Sequence, residues 1–409
     1  MTAAVTTPTG PPTGPPTGPL AGIRVIDVTT VVLGPMCSQT LGDMGADVVK
    51  IEPPQGDDLR MVGPSRTPGM GSYFANLNRN KRSVVLDLKQ PAAREALYRL
   101  VETADVFVHN MRLGAAQRLG LGYETLSARN RRLIYASASG FRKGSSLQDY
   151  PAYDDLIQGV SGIAALNAGP DGAPRYFPSV LVDKLTGVTL ASMIGMALFH
   201  RERTGEGQEI HLPMLETILS FTLVEHLWHG TLGEPEKGVG YPRMLTPHRR
   251  PYPTKDGFIS VIAHSNAQWG KLFEAMGVPG LIDDPRFNSV KARSANIDAV
   301  YATLTEGMTR RTTGEWLALL READIPCGKA ASLDDLFDDP YLTETNYFTA
   351  CEHPVEGRVV IPAIPAWFSK SPPNVHRQWP VLGEHTIEVL KEAGFSGEEI
   401  AAIADRPAM

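Results

Sequence analysis

The sequence predicts an α/β fold, with a large domain built on a Rossmann-like parallel sheet and a smaller α+β domain. Strand-like apolar runs alternate with helical patterns through the first half of the chain, which is typical of a parallel sheet covered by helices on both faces. The length of 409 residues is too great for one small core. A Gly- and Pro-rich stretch at 230–253 separates the two predicted domains.

The predicted sheet opens with a βαβ unit, in which the strands Ile23–Val28 and Ala46–Glu52 flank a helix at Pro35–Met44. Further strands are predicted at Ser83–Leu88, Val106–His109, Leu133–Ser137 and Glu209–Pro213, with helices at Pro91–Thr103, Lys184–Arg203 and Leu215–His229. Ligands of such sheets bind at the carboxyl ends of the strands.

Four segments are predicted along the chain. Residues 1–19 repeat Pro-Thr-Gly-Pro and are expected to form a disordered tail. Residues 20–229 form the first part of the large domain, residues 230–340 contain a linker and the small domain, and residues 341–409 return to complete the large domain.

Composition and charge exclude several classes of protein. The net charge of −6 gives no general attraction to nucleic acid or to an anionic membrane. The three cysteines, Cys37, Cys327 and Cys351, have no metal-ligand or disulfide spacing, which favours a cytoplasmic protein without a metal site. The longest apolar run, Leu185–Phe199, is shorter than a membrane span and indicates a buried core helix.

The first βα turn does not carry a dinucleotide fingerprint. That fingerprint needs three spaced glycines, and here Gly34 is followed by Pro35, which lacks a backbone N–H. Nicotinamide and flavin cofactors are therefore not expected.

Asp183 is the most informative candidate residue. It follows the apolar run Ser179–Val182 and precedes an apparent Thr186–Gly187 turn and a long apolar helix. An ionised carboxylate between apolar segments costs free energy unless hydrogen bonds or a chemical task offset it. The N–H groups and dipole of the following helix favour an anion at this position. Asp183 is therefore either a helix N-cap or a reactive carboxylate, and the local sequence leaves both open.

A basic cluster at Asn78–Arg82, together with Lys89, Arg112 and Arg118, lies on βα connections of the predicted sheet. Guanidinium and ammonium groups bind phosphate through charge-assisted hydrogen bonds, so a phosphate-bearing ligand would suit this rim. A solvated charged face is the alternative interpretation.

Taken in order, these segments resemble the class III CoA-transferase family, also called CaiB/BaiF. The motifs that carry the resemblance are Leu20–Asp27, Gly34–Pro35, Leu41–Glu52, Asn78–Ser83, Asp105–Asn110, Leu121–Tyr123, Asp183 with Thr186–Gly187, and Arg203–Gln208. Each motif alone is common, but the ordered set is specific and extends from about Leu20 to near the C-terminus.

The resemblance implies a CoA-transferase that moves CoA from an acyl-CoA donor to a carboxylic acid, with a dicarboxylate such as succinate among the acceptors considered. Asp183 would be the nucleophile, forming first a mixed anhydride and then an aspartyl-CoA thioester. Coenzyme A would be the co-substrate. By the same resemblance its contacts would come from Val32, Leu33, Leu86, Lys89, Asn110, Met111, Arg112, Arg118, Tyr153 and Asp154.

The resemblance also implies an interlocked homodimer. Val32 and Pro53 replace a glutamine and an arginine of formyl-CoA transferase, which disfavours oxalate and formate as the substrate pair.

Two other functions stay open. One is an acyl-CoA racemase or epimerase, although Tyr153 stands where the racemases have a histidine. The other is a catalytically silent CoA-binding subunit.

Overall fold

A computed structural model describes residues 14–169 and 171–404. The first half of the chain contains the strands β1 (Arg24–Val28), β2 (Asp47–Glu52), β3 (Lys81–Val85), β4 (Val106–His109), β5 (Ile134–Ser139) and β6 (Gln208–Pro213). The helices of this half are α1 (Leu33–Asp43), α2 (Ser72–Ala75), α3 (Pro91–Glu102), α4 (Leu113–Arg118), α5 (Tyr123–Arg129), α6 (Asp154–Val160), α7 (Ile163–Leu166), α8 (Leu181–Thr204) and α9 (Met214–His226).

The middle of the chain contains α10 (Pro242–Leu245), β7 (Tyr252–Pro253), β8 (Phe258–Val261), α11 (Asn266–Ala275), α12 (Val290–Ala295), α13 (Ile297–Met308), α14 (Thr313–Glu322) and β9 (Cys327–Lys329). The last part contains α15 (Pro340–Glu344), β10 (Phe348–His353), β11 (Gly357–Pro362), α16 (Thr386–Glu392) and α17 (Gly397–Ala404). Short 3₁₀ turns occupy Asp58–Met61, Trp228–Leu232, Pro235–Lys237, Pro279–Ile282 and Asp334–Asp338.

The main sheet has six strands in the order β3-β2-β1-β4-β5-β6, and every neighbouring pair is parallel. This is the doubly wound order, in which the connection reverses direction between β1 and β4. The predicted α/β fold with a Rossmann-like sheet is confirmed. The reversal opens a crevice at the carboxyl ends of β1 and β4, where ligands of such sheets bind.

Helices cover both faces of this sheet. On one face α1 and α8 pack against it through an apolar cluster that includes Cys37, Leu41, Leu190 and Ile194. On the other face α3 and the returning α16 contribute a second cluster, with Leu97, Leu100, Val389 and Leu390. The strands therefore read as continuous apolar runs, as expected for strands that are buried on both sides.

Helix α8 is longer than the sequence suggested. It begins at Leu181, three residues before the predicted start, and its 24 residues are long and apolar enough to cross a membrane by length and composition alone. Within the protein it packs as a core helix, because Val182, Leu190, Ile194 and Leu198 are buried against the parallel sheet. The expectation that this segment is too short for a span is wrong, but the observed packing is that of a core helix.

The chain divides into two compact units. The first takes in the described residues of Met1–Ala168, Pro174–Phe221 and Tyr341–Met409, and the second those of Gly169–Ala173 and Thr222–Pro340. The second unit has its own apolar core and the antiparallel sheet β7-β8-β9. The division falls inside α9, eight residues before the predicted boundary, because Gly and Pro mark where regular structure ends and not where packing changes.

The predicted tail, 1–19, is only partly within the described chain. Residues 1–13 lie outside it. Thr17, by contrast, donates its N–H to Asn374 Oδ1 at 3.0 Å and its hydroxyl to the Pro372 carbonyl at 2.8 Å. The described part of the predicted tail therefore contacts the C-terminal segment at Thr17. That residues 1–19 form a disordered tail stays a prediction.

The basic cluster at Asn78–Arg82 is neither a phosphate rim nor a solvated face. Arg79 pairs with Asp43 at 2.7 Å, and Lys81 lies 3.3 Å from Asp27 with both side chains fully buried. Arg82 pairs with Asp47 at 2.6 Å and also with Glu388 and Glu392 of α16. The carboxylate partners are distant in sequence, so local composition could not reveal them. Arg82 thereby joins the returning C-terminal segment to the sheet.

Replacing Lys81 by methionine should destabilise the protein by about 3 kcal/mol, because the Asp27 carboxylate would stay buried after losing its nearest cation. Urea unfolding measures this change. The matched control is Lys143→Met, which breaks the exposed pair with Glu209 and should cost less than about 1 kcal/mol. Equal effects of the two substitutions would contradict the structural role of Lys81.

Candidate active site

The loop between β1 and α1 lies at the crevice between β1 and β4. Across this crevice Asn110, which follows β4, accepts the Thr30 N–H at 3.0 Å and donates to the Thr30 carbonyl at 2.8 Å. The next residue, Val31, has φ of 67°, a left-handed conformation that is a genuine outlier for a β-branched residue. The Asn110 side chain therefore joins the two sides of the crevice, next to a residue with a strained backbone.

Helix α8 approaches this loop very closely at Gly187. A Cβ atom placed on Gly187 would lie 2.4 Å from the Leu33 carbonyl oxygen and 2.9 Å from Met36 Cβ, so only glycine permits this contact. Gly187 is helical, and the predicted Thr186–Gly187 turn is wrong. Its role is to let α8 lie directly on the first turn of α1.

Asp183 lies one helical turn before Gly187 on the same face of α8. It is the third residue of the helix and not its N-cap, because α8 begins at Leu181. One side of the start of α8 is apolar, where Val180, Met36 and Tyr73 pack against a cluster that includes Val32. This placement brings a partly buried carboxylate to the β1–α1 loop.

A second carboxylate holds the start of α8. The backbone N–H of Asp183, which has no intrahelical acceptor, donates to Asp154 Oδ1 at 2.9 Å. The other oxygen of Asp154 accepts from the Gln158 amide, which also donates to the Ser179 carbonyl and accepts the Phe177 N–H. Asp154 is only 3% exposed, and its two oxygens are occupied by protein donors.

Burial, followed by the negative charges of Asp154 and Asp155, raises the pKa of Asp183 from its ordinary value of 3.8 to about 7. The N-terminus of a helix lowers the pKa of a nearby carboxyl, but here desolvation and the neighbouring negative charges have the larger effect. Burial and the charges of Asp183 and Asp154 also raise the pKa of Tyr73, so the phenol stays protonated near neutral pH. A carboxyl with this pKa in a partly apolar site is a candidate for catalysis.

The residues predicted to contact CoA follow the carboxyl ends of several strands. Leu86 follows β3, Val32 and Leu33 follow β1, and Asn110 to Arg112 follow β4, so the parallel sheet brings these segments to one edge. Lys89, Arg112 and Arg118 are exposed there. Tyr153, at the start of α6, is 73% exposed.

Other predicted contact residues have side chains that are already engaged. Val32, Leu33 and Leu86 are buried in apolar clusters. The backbone N–H of Leu86 is also engaged, because it donates to the Glu52 carbonyl at 2.9 Å. Met111 donates its N–H to Nδ1 of His109 at 3.2 Å, so Nε2 of that histidine carries the proton toward Tyr135. Burial lowers the pKa of His109 to about 3, which keeps the ring neutral.

Sequence reasoning missed three residues of this site. Asp57 accepts the Val31 N–H at 3.3 Å, and Lys50 donates to Asp57 at 3.0 Å. Tyr73 lies on the short helix α2 within electrostatic reach of Asp183. All three belong to segments that precede Asp183 by more than one hundred residues, and no spacing signal connects them to it.

Within residues 14–169 and 171–404, no group of three or more His, Cys, Asp or Glu side chains lies close enough to hold a metal ion. That catalysis needs no metal stays a prediction.

The sequence profile described as CoA-transferase family III matches residues 20–386. The chain belongs to this family and is a class III CoA-transferase, as the sequence motifs suggested. CoA thioesters are therefore its co-substrates, and carboxylic acids are its acceptors.

Relatives of known name agree with this assignment. A succinate–glutarate CoA-transferase from Agrobacterium fabrum is 34% identical, and the match covers 91% of this chain and 95% of that protein. A formyl-CoA:oxalate CoA-transferase from Rhodopseudomonas palustris is 32% identical over 95% of this chain and 97% of its own. A CaiB/BaiF family protein from Brucella suis has a similar crystal structure, with a TM-score of 0.78, 32% identity and coverage of 92% and 100%.

The raised pKa predicts that Asp183→Asn stabilises the folded protein. In the native chain the carboxyl ionises in the unfolded state above pH 3.8 but in the folded state only above about 7. Native stability therefore falls as pH rises between these values, while the amide variant is unaffected. After a discount for partial exposure, the variant should be more stable by roughly 1–2 kcal/mol at pH 8.

Urea unfolding at pH 4, 6 and 8 measures this difference, which should grow with pH up to about 7 and then stay constant. Asp155→Asn, at an exposed carboxylate of the same site, is the control and should show a much smaller gain. A gain that is the same at all three pH values would contradict the raised pKa.

Proposed function

We propose that this protein transfers CoA between carboxylic acids through covalent catalysis by Asp183. The observation that carries the proposal is the position of this carboxylate, which is partly buried, has a pKa raised to about 7 and lies on the face of α8 that meets the β1–α1 loop. The exposed cations Lys89, Arg112 and Arg118 at the same edge of the sheet suit the phosphates of CoA.

The first half of the reaction exchanges the acyl group. A carboxylate oxygen of Asp183 attacks the carbonyl carbon of the donor thioester, and the carbon–sulfur bond breaks to release CoA thiolate and leave a mixed anhydride. The thiolate then attacks the Asp183 carbonyl of the anhydride. The donor acid leaves as a carboxylate, and Asp183 is left as a CoA thioester.

The second half repeats these steps in reverse order with the acceptor. The acceptor carboxylate attacks the aspartyl thioester and expels CoA thiolate, and the thiolate attacks the acceptor carbonyl of the new anhydride. This regenerates the Asp183 carboxylate and releases the product thioester. No proton is gained or lost over the cycle, and the anhydrides join acids of similar basicity, so the energies of successive intermediates are nearly balanced.

The surroundings of Asp183 suit both halves. A carboxylate with a pKa near 7 is more basic than a solvated one and is held with little solvation, which favours attack on a thioester. Each tetrahedral intermediate carries an oxyanion that backbone N–H groups of Val32 and Leu33, at the start of α1, could stabilise. Asp154 does not compete as a nucleophile, because both of its oxygens accept hydrogen bonds.

For the acceptor we propose a small carboxylic acid, with dicarboxylates tested first because one relative is named for succinate and glutarate. We also propose that the chain forms an interlocked homodimer in the cytoplasm. Met196 and Phe199 of α8 are 63% and 65% exposed in the single chain, an apolar surface that a partner chain would cover. Three free cysteines suit a reducing compartment.

Trapping during turnover should modify Asp183. The protein is mixed with succinyl-CoA, glutaryl-CoA, acetyl-CoA or oxalyl-CoA and quenched with hydroxylamine or borohydride, and peptide mass spectrometry should locate a hydroxamate or a reduced side chain at this residue. Asp183→Ala should lower transfer by at least about 10⁴-fold, since the covalent route is lost. Calorimetry should show that CoA still binds.

Asp155→Ala is the matched control, because it removes an exposed carboxylate from the same site and should retain transfer and trapping. Full activity of Asp183→Ala would rule the mechanism out. Deuterium uptake from solvent at the α-carbon, without any acyl exchange, would instead support the racemase alternative.

The pH dependence of the first step should follow the ionisation of Asp183. Because only the carboxylate attacks, kcat/KM for the acyl-CoA donor should rise with pH and level off above about 7, falling roughly tenfold per unit well below that value. Asp155→Asn removes one of the charges that raise this pKa, so its profile should move to lower pH. A flat profile between pH 5 and 8 in both proteins would contradict this assignment.

A further inference from the structure

We propose that Asn110 and Asp57 are positioning residues that hold the Val31 backbone in its strained conformation, and through it aim the N–H groups of Val32 and Leu33 at the oxyanions formed beside Asp183. This inference rests on the proposed function and adds to it the residues that prepare the oxyanion site.

The strain lies in the backbone of a single residue of the β1–α1 loop. Val31 has φ of 67°, where a β-branched side chain is strongly disfavoured and glycine is not. Non-glycine residues persist in such regions only when their surroundings over-determine them, and they cluster at functional sites. A glycine at this position would close the same β1–α1 connection without strain.

Thr29, Thr30 and Val31 each bond to a different side chain. These side chains come from β2, from the residue after β4 and from the turn after β2. The Thr29 carbonyl accepts from Lys50 Nζ of β2 at 2.8 Å. Thr30 exchanges two hydrogen bonds with Asn110 after β4, at 3.0 and 2.8 Å. Val31 donates its N–H to Asp57 at 3.3 Å.

Asp57 is itself fixed in place. Its side chain is fully buried with that of Lys50, which lies 3.0 Å away, and it also accepts the Leu59 N–H at 3.1 Å. Burial of this pair, between β2 and the turn that follows it, leaves Asp57 few alternative orientations. The Val31 amide is therefore directed toward a rigid acceptor.

The peptide unit between Val31 and Val32 is rotated by the backbone angles of Val31, so these angles decide where the next N–H groups point. Val32 is the N-cap of α1, and the first N–H groups of a helix have no intrahelical acceptor. The carbonyl of Leu33 lies against Gly187, one turn of α8 from Asp183. A relaxed Val31 would turn these N–H groups away from the reacting carbon.

Asn110 is a better residue to test than Asp57, because removal of its neutral side chain leaves no unpaired buried charge. Asn110→Ala should lower kcat by about 10- to 100-fold, a smaller loss than the removal of one oxyanion donor, because the N–H groups stay in place and only their direction changes. The dissociation constant of free CoA, measured by calorimetry, should change less than about threefold. Rates are expressed per CoA-binding site, which removes any contribution from unfolded protein.

A rescue experiment separates positioning from general loosening. Val31→Gly in the Asn110→Ala background should raise kcat at least about tenfold above that of Asn110→Ala alone. Glycine adopts positive φ without the hydrogen bonds of Asn110. The matched control is Asn130→Ala, just before the amino end of β5, where the side chain donates to the Val101 and Ala104 carbonyls and accepts the Arg132 N–H. That control should leave kcat unchanged.

Each other outcome overturns the proposal. If Asn110→Ala raises the dissociation constant of CoA with kcat intact, Asn110 is a ligand contact and not a positioning residue. If kcat falls but Val31→Gly gives no recovery, the strained backbone is not what Asn110 controls. Trapping at Asp183 in the unaltered protein is checked in parallel, so a failure of the proposed function itself would be visible as the absence of that adduct.

Discussion

The close contact between Gly187 and the Leu33 carbonyl is the constraint on which the candidate site depends. A side chain of any size at position 187 would push α8 away from α1, because even a Cβ would lie 2.4 Å from the carbonyl oxygen. The contact places the first turn of α8, which carries Asp183, beside the loop that follows β1. Backbone packing of two helices, and not a local sequence motif, thus brings the proposed nucleophile, Asp183, to the crevice of the sheet.

Two neighbouring carboxylates have different tasks because their surroundings differ. Asp154 is buried, accepts hydrogen bonds from a backbone N–H and a side-chain amide, and fixes the start of α8. Among the residues that the structure describes, none is found to donate a hydrogen bond to the Asp183 carboxylate. Burial, followed by the charges of Asp154 and Asp155, raises its pKa to about 7. The same residue that orients the helix therefore also makes Asp183 more basic. Environments that separate the behaviour of two like groups in this way are typical of acid and base assignments in enzymes.

Much of the large unit could be predicted from sequence, because its strands are continuous apolar runs and its helices follow a clear period. The strand at Val106–His109 was predicted with its observed bounds, and Asp183 was singled out by its apolar surroundings. The start of α8 was missed, since Ser179 to Val182 suit a strand as well as a helix. The basic cluster was misread because Asp27, Asp43 and Asp47, its partners, come from other strands and helices.

The strained backbone at Val31 could not have been predicted either, since nothing in a run of two threonines and two valines indicates positive φ. Its cause lies in residues 50, 57 and 110, which meet only in the folded sheet. Both Asp183 and Val31 are thus kept in states that the isolated chain would avoid, one through lost solvation and the other through backbone angle. The two apolar clusters of the sheet, which the sequence predicts, and the buried ion pairs, which it does not, together supply the rigidity that maintains these states.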